Sequence, residues 1–208
     1  MSAKKDMTEA ERDAHHAERM GKRKAARDRM LATKTQEKGL LMVHTGKGKG
    51  KSTAAFGLAV RAMGNDMRVG VVQFVKGKWQ TGERAILEHF PERLTIRTMG
   101  EGFTWDTQDR QRDITAAKAA WQAAQEMMAD QSYDLIVLDE LNIVLRYDYL
   151  PLAEIVAALQ ARREGLHIIV TGRNAKETLV EAADMVTEMT EIKHHFKAGV
   201  KAQTGIEF

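Results

Sequence analysis

The chain has 208 residues, 43% of them hydrophobic, enough for one sizeable α/β domain with its own core. It contains no cysteine, which excludes a disulfide framework, a Cys-based zinc site and a thiol nucleophile. The net charge of +3 is unevenly spread: residues 1–38 hold 11 Lys/Arg against 7 Asp/Glu, and the remainder holds 21 against 22.

The basic excess therefore belongs to a leading segment, 1–38, which has no Trp, Tyr, Phe, Val or Ile and cannot build its own core. Its Ala, Glu, Arg and Lys content favours helix if something docks it. Three readings stay open for it: a solvated extension, a cap that closes over an anionic ligand, whether its own or a neighbouring subunit's, and a weakly supported nucleic-acid arm without interleaved aromatics. Met1 to Asp13 is polar and lacks a signal-peptide core, and no apolar run approaches the roughly 18 to 20 residues of a membrane span. A soluble cytoplasmic protein is the expectation.

From residue 39 to 208, apolar strand candidates alternate with helical stretches. Strands are expected near Gly39–Thr45, Arg68–Val75, Leu94–Met99, Asp134–Asp139, Leu166–Gly172 and Asp184–Met189. Helices are expected from the end of the first loop to Met63, over Gly82–Phe90, from Thr107 or Asp109 to Asp130 with Trp121 facing inward, over Leu152–Glu164 behind Pro151, and over Lys176–Ala183. Gly64 is placed to end its helix in a left-handed cap. This alternation predicts an α/β fold with a mainly parallel sheet, right-handed crossovers and helices on both faces. Ligands in such folds bind beyond the carboxyl ends of the strands.

One stretch names the ligand class. Gly46-Lys47-Gly48-Lys49-Gly50-Lys51-Ser52-Thr53 follows an apolar strand and opens an alanine-rich helix, the order a phosphate-binding loop requires. Glycines let successive backbone N–H groups point at phosphate oxygens, and the helix adds its positive end. Lys51 is placed to reach the terminal phosphates and the Ser52 hydroxyl to ligate Mg²⁺. The general motif asks for glycine where this chain has Thr45. Lys47 and Lys49 are cations the motif does not demand; they are either solvent-facing charge or help to hold a highly charged polyphosphate.

The apolar strand Leu135–Leu138 ends in Asp139 and Glu140, where phosphate-loop proteins hold Mg²⁺ with a carboxylate. Neighbouring strand residues alternate direction, so one of the two should face the metal. Gly100–Asp106 sets Phe103 and Trp105 beside glycines and charges. The pair is either a core anchor or an aromatic wall for a large, partly apolar ligand. Lys76–Gly82, this loop and Arg146–Tyr149 are expected at the same sheet edge. The histidines show no metal-ligand spacing; His44 is placed to pack or hydrogen-bond against the loop. On these residues alone a Mg²⁺-nucleotide site is expected, with the fate of the nucleotide open.

Taken in order, Thr45–Ser52, Gly82–Arg84, Gly102–Trp105, Val137–Leu141, Tyr147–Leu150, Thr171–Asn174 and Lys193–Glu207 resemble the phosphate-loop type of cobinamide/cobalamin adenosyltransferase. The resemblance spans about residues 39–208. It implies a phosphate-loop NTPase-like, RecA-like fold. The implied reaction is attack by the Co(I) of a corrinoid on the 5′-carbon of ATP, with departure of the whole triphosphate. It implies that Thr45 and Gly46–Thr53 hold a nucleotide lying reversed in the loop, with Arg61 as a further nucleotide contact. Ser52 with Glu140, and Asp139 beside it, would hold Mg²⁺ or Mn²⁺. Phe103 and Trp105 would expel the corrinoid's lower axial ligand, which eases reduction of Co(II). A flavodoxin-like electron donor, a homodimer and an N-terminal segment that orders over the site are also implied. An ordinary phosphoryl-transfer NTPase or kinase, and a nucleotide-gated regulator with a nucleic-acid-binding arm, are the alternatives.

Overall fold

The computed structural model describes residues 7–75, 82–99 and 109–207. The chain forms two units, Met1–Glu37 and Lys38–Phe208.

The first unit is one helix, α1 (Glu9–Ala32). It opens on a capping box: the Thr8 hydroxyl accepts the Glu11 N–H at 3.3 Å, and the Glu11 carboxylate accepts the Thr8 N–H at 2.8 Å. Glu18–Lys22 and Lys24–Asp28 pair one turn apart, at 2.6 and 2.7 Å. No residue of α1 is buried, so propensity and pairs of about 0.2–0.5 kcal/mol each hold it helical.

The second unit contains six strands, β1 (Leu41–Thr45), β2 (Val69–Gln73), β3 (Leu94–Thr98), β4 (Leu135–Asp139), β5 (His167–Thr171) and β6 (Met185–Glu188). They pair in the order β3-β2-β4-β5-β1-β6, and every pairing is parallel. The helices are α2 (Lys51–Met63), α3 (Gly82–Leu87), α4 (Arg110–Ala129), α5 (Leu141–Arg146), α6 (Leu152–Gln160) and α7 (Glu177–Ala182), with a 3₁₀ turn at His195–Ala198. This is the phosphate-loop NTPase-like α/β fold expected. Strand β5 separates the strand that feeds the phosphate loop from the strand that ends in carboxylates.

Alternation along the strands builds one core on each face. Leu41, Val43, Ile136, Leu138, Ile168 and Val170 face one way, where Ala120, Ala124 and Met127 of α4 and Ile155 and Leu159 of α6 cover them. Met42, Val69, Val71, Leu135, Val137 and Ile169 face the other, against Ala55, Phe56 and Ala59 of α2. Apolar residues at both parities produce the near-continuous runs of the sequence. Trp121 is half-buried against the first core, as its helical phase predicts.

Two local expectations need revision. Gly64 is not a left-handed cap: its φ is −68° and ψ −10°. The left-handed residue is Asp66, φ 63°. The Met67 N–H reaches the Ala62 carbonyl at 3.1 Å and the Asp66 N–H reaches that of Met63 at 3.2 Å, the two bonds of a Schellman motif set two residues further on. Aspartate tolerates this conformation better than most side chains. Helix α5 and the 3₁₀ turn are additions to the expected elements, because each is shorter than the window over which a helical period can be counted.

Candidate functional site

The phosphate loop is shaped by close approach to the chain that follows β6. The Gly48 N–H donates to the Met189 carbonyl at 2.7 Å. A Cβ on Gly46 or Gly48 would stand 2.4 or 2.8 Å from that same oxygen, too near for any side chain. Gly50, φ 105°, caps α2 and, being glycine, offers no side chain to the helix's first N–H groups. Thr45 has a positive role where the motif asks for glycine: its hydroxyl accepts the Ala175 N–H at 3.0 Å and pins the loop that leaves β5.

Lys51 is only 7% exposed. Its ammonium donates to the Gly48 carbonyl of its own loop at 2.5 Å. Burial pushes its pKa below the ordinary lysine value; Glu140 opposes that shift, and Arg173 and Lys49 add to it. The His44 ring nitrogen Nδ1 lies 3.3 Å from the Lys51 carbonyl oxygen, the loop contact expected of it.

The two carboxylates at the end of β4 have different surroundings. Asp139 is fully buried; it accepts the Thr171 hydroxyl at 2.8 Å and the Gln73 amide at 3.2 Å. Thr171 in turn accepts the Glu140 N–H at 2.9 Å, so a single β5 side chain ties both residues. Glu140 turns left-handed, φ 65°, and starts α5. The turn carries its carboxylate out of the sheet and into a cavity of about 670 Å³. Gly172 makes room for it, since a Cβ there would stand 3.0 Å from Glu140 Oε2.

Lys49, Gly50, Lys51, Ser52 and Thr53 line the same cavity. Arg146 and Tyr147 of the expected Arg146–Tyr149 stretch reach it, with Tyr147 stacked on Tyr149 at 5.6 Å between ring centres. Thr45, Gly46 and Lys47 instead line a second cavity of about 590 Å³, together with Asn174 and Lys197. Arg61 lies ten residues along α2 from Lys51, about 15 Å at 1.5 Å per residue, and is exposed outside both cavities. Phe103 and Trp105 lie outside the described residues, as do Lys76–Thr81.

Glu83, Arg173, His195 and Glu207 also line the main cavity; none is named as a site residue from the sequence, though each falls in a segment that carries the family resemblance. Arg173 has a usable signal, since it follows the carboxyl end of β5, where ligands of parallel sheets bind. Glu207 ends the last segment of the family resemblance, but only tertiary folding brings it to Lys49, whose ammonium donates to its carboxylate. The oxygen donors Ser52 and Glu140 in one cavity suit a hard cation such as Mg²⁺.

Three known proteins called corrinoid adenosyltransferases match nearly end to end. That of Pseudomonas aeruginosa is 54% identical over 198 residues, covering 95% of this chain and 98% of its own. That of a Sinorhizobium species is 54% identical, covering 94% and 92%, and that of Escherichia coli K12 is 47% identical over 196 residues, covering 94% and 99%. The sequence pattern of the ATP:corrinoid adenosyltransferases BtuR/CobO/CobP matches residues 37–208. This chain, with its phosphate loop and carboxylate strand meeting at one cavity, belongs to the ATP:corrinoid adenosyltransferase family.

Proposed function

We propose that the chain transfers the 5′-deoxyadenosyl group of ATP to the Co(I) of a corrinoid and releases triphosphate, a step of adenosylcobalamin biosynthesis or salvage. One observation carries the reading: a single cavity joins Lys51 and Ser52 of the phosphate loop to Glu140, in a member of this family. The phosphoryl-transfer alternative is not favoured.

The reaction needs no protein base, because Co(I) is itself the nucleophile. Catalysis falls to alignment and to stabilising charge on the leaving group. Lys51 is suited to the second task. Partly stripped of water and parked on the Gly48 carbonyl, it gains a stronger partner when a phosphate oxygen arrives. Lys49 and Arg173 bring further positive charge to the cavity, matched to a triphosphate that leaves whole.

Ser52 and Glu140 would hold Mg²⁺, or Mn²⁺ in its place. When bound, the ion offsets phosphate charge. Asp139, bonded to Thr171 and Gln73, would act by fixing the backbone from which Glu140 projects. We assign Phe103 and Trp105 to the corrinoid, as the aromatic pair that displaces its lower axial ligand, and a flavodoxin-like protein to supply the electron. A cytoplasmic homodimer, with residues 1–38 ordering over the loaded site, completes the reading.

The test is anaerobic incubation with Mg-ATP and chemically reduced cobalamin. The expected result is a light-sensitive alkylcobalt spectrum with one tripolyphosphate per turnover. Orthophosphate or ADP beside unalkylated cobalt would overturn the proposal. Replacing Phe103 or Trp105 should impair the Co(II)-dependent reaction more than one given Co(I); equal losses would remove their axial-ligand role.

A further inference from the structure

We infer that Glu207 is an anionic latch on the phosphate loop: in the nucleotide-free chain it takes the counter-ion position on Lys49 that a polyphosphate takes over, and the C-terminal turn is released as nucleotide enters. The inference rests on the nucleotide reading above and adds a device to that site.

Glu207 lies 158 residues from Lys49 in sequence, yet the lysine ammonium donates to its carboxylate. Its other oxygen is 3.5 Å from Nε2 of His195. The carboxylate is 12% exposed and lines the same cavity as Lys51, Ser52 and Glu140. Glu140 has an evident use there as a metal-facing oxygen. Glu83 and Glu207 add two further carboxylates; Glu207, held on Lys49, is a like charge beside the ligand once a triphosphate is bound. Its visible use is on the loop: it neutralises Lys49, and that bond holds its own pKa below the usual carboxylate value.

The way the turn is held argues for release. The Ile206 and Glu207 N–H groups both donate to the Gln203 carbonyl, at 3.1 and 2.9 Å, so these bonds close the turn on itself. Ile206 is 81% exposed and gives the turn little apolar anchorage. The ion pair to Lys49 is thus a main tether to the loop, and it is one that a polyanion competes for directly.

The neighbouring histidines do not convert this cluster into a metal site. His194, His195 and Glu207 bring one ligand atom each within 4.8 Å of one another. Nδ1 of His194, however, already accepts the Phe196 N–H at 3.2 Å, which leaves the ring proton on Nε2 in the neutral form. Glu207 is engaged by Lys49. A metal on His194 would have to displace that proton or that contact, and it would stand beside the Lys49 ammonium.

The experiment measures inorganic tripolyphosphate and Mg-ATP binding by calorimetry in the full chain, and hydrogen exchange over residues 203–207. Glu207→Gln removes the charge at nearly constant shape. It should bind tripolyphosphate about two- to fivefold tighter, the equivalent of removing a competing ion pair worth ~0.4–1 kcal/mol. In the unmodified chain tripolyphosphate should speed exchange at residues 206 and 207; in Glu207→Gln exchange should be fast from the start. Unchanged or weaker binding by the variant, or slower exchange on adding tripolyphosphate, would overturn the latch. If the unmodified chain bound no Mg-ATP at all, the nucleotide reading would fail, and the latch with it.

Discussion

Thr45 stands where the general loop motif has glycine, and its hydroxyl bonds the Ala175 N–H. Thr45→Val keeps the strand-forming shape and removes the acceptor, so it should cost about 1 kcal/mol in denaturant unfolding and weaken nucleotide binding through the loosened loop. Gly64 is the converse case. Its φ is −68°, and a methyl group added at its Cα would meet only ordinary contacts, 3.5 and 3.6 Å away, so the position has no need of glycine. Gly64→Ala should stabilise by about 0.4–1 kcal/mol, read as a higher melting temperature. Lys51→Ala separates binding from stability. The lysine is buried and its charge is disfavoured there, so the variant should melt at or above the parent temperature, while the rise in melting temperature given by ATP disappears.

At the scale of elements, α2 presents the loop and is itself held by small residues. Ala55, Ala59 and Ala62 let it lie close to the sheet, with Phe56 as the large anchor at 3% exposure. Phe56→Ala should cost about 3–5 kcal/mol, seen as a lower urea midpoint at unchanged slope. The element order is legible in the sequence because apolar runs such as Leu135–Leu138 and Ile168–Val170 are long enough to mark strands, and the glycine-lysine loop fixes its own flanks. Glu140 is legible as a candidate because a carboxylate pair at a strand end has few other uses beside such a loop. That the pair divides its work is legible from strand alternation; which of the two enters the cavity is not. That depends on a left-handed turn at Glu140 and on Thr171, which belongs to another strand. The pairing of Glu207 with Lys49 is hidden for the same reason: the two are remote in sequence, and no local pattern encodes the contact.

Over the whole sheet unit, Asp184 joins the edge opposite the site. It accepts from Lys38, from the Leu41 N–H at 2.9 Å and from Arg162 at 3.0 Å, and Arg162 also bonds the carbonyls of Gly39 and Leu159. The Lys38 bond, then the Leu41 N–H, hold its pKa below the ordinary carboxylate value. A carboxylate lowered on folding contributes stability that is complete above its unfolded value, about 3.9, and is lost as pH falls through its folded value. The stability gap between the parent chain and Asp184→Asn should therefore be full at neutral pH and close in acid. A gap that stayed constant from neutral pH into strong acid would show that shape, not charge, is what Asp184 supplies.

The strand order also bears on how the protein is made. Leu41–Thr45 is the first of the six described strands to leave the ribosome, yet both of its hydrogen-bonding flanks belong to β5 and β6, which begin at His167 and Met185. At roughly 5–20 residues per second, the first strand and its glycine-rich loop wait about 6–25 s for any lateral partner. During translation this apolar segment is thus an early claim on chaperones, and nascent chains stalled before residue 167 should be captured by them and digested by protease far more readily than chains released beyond β6.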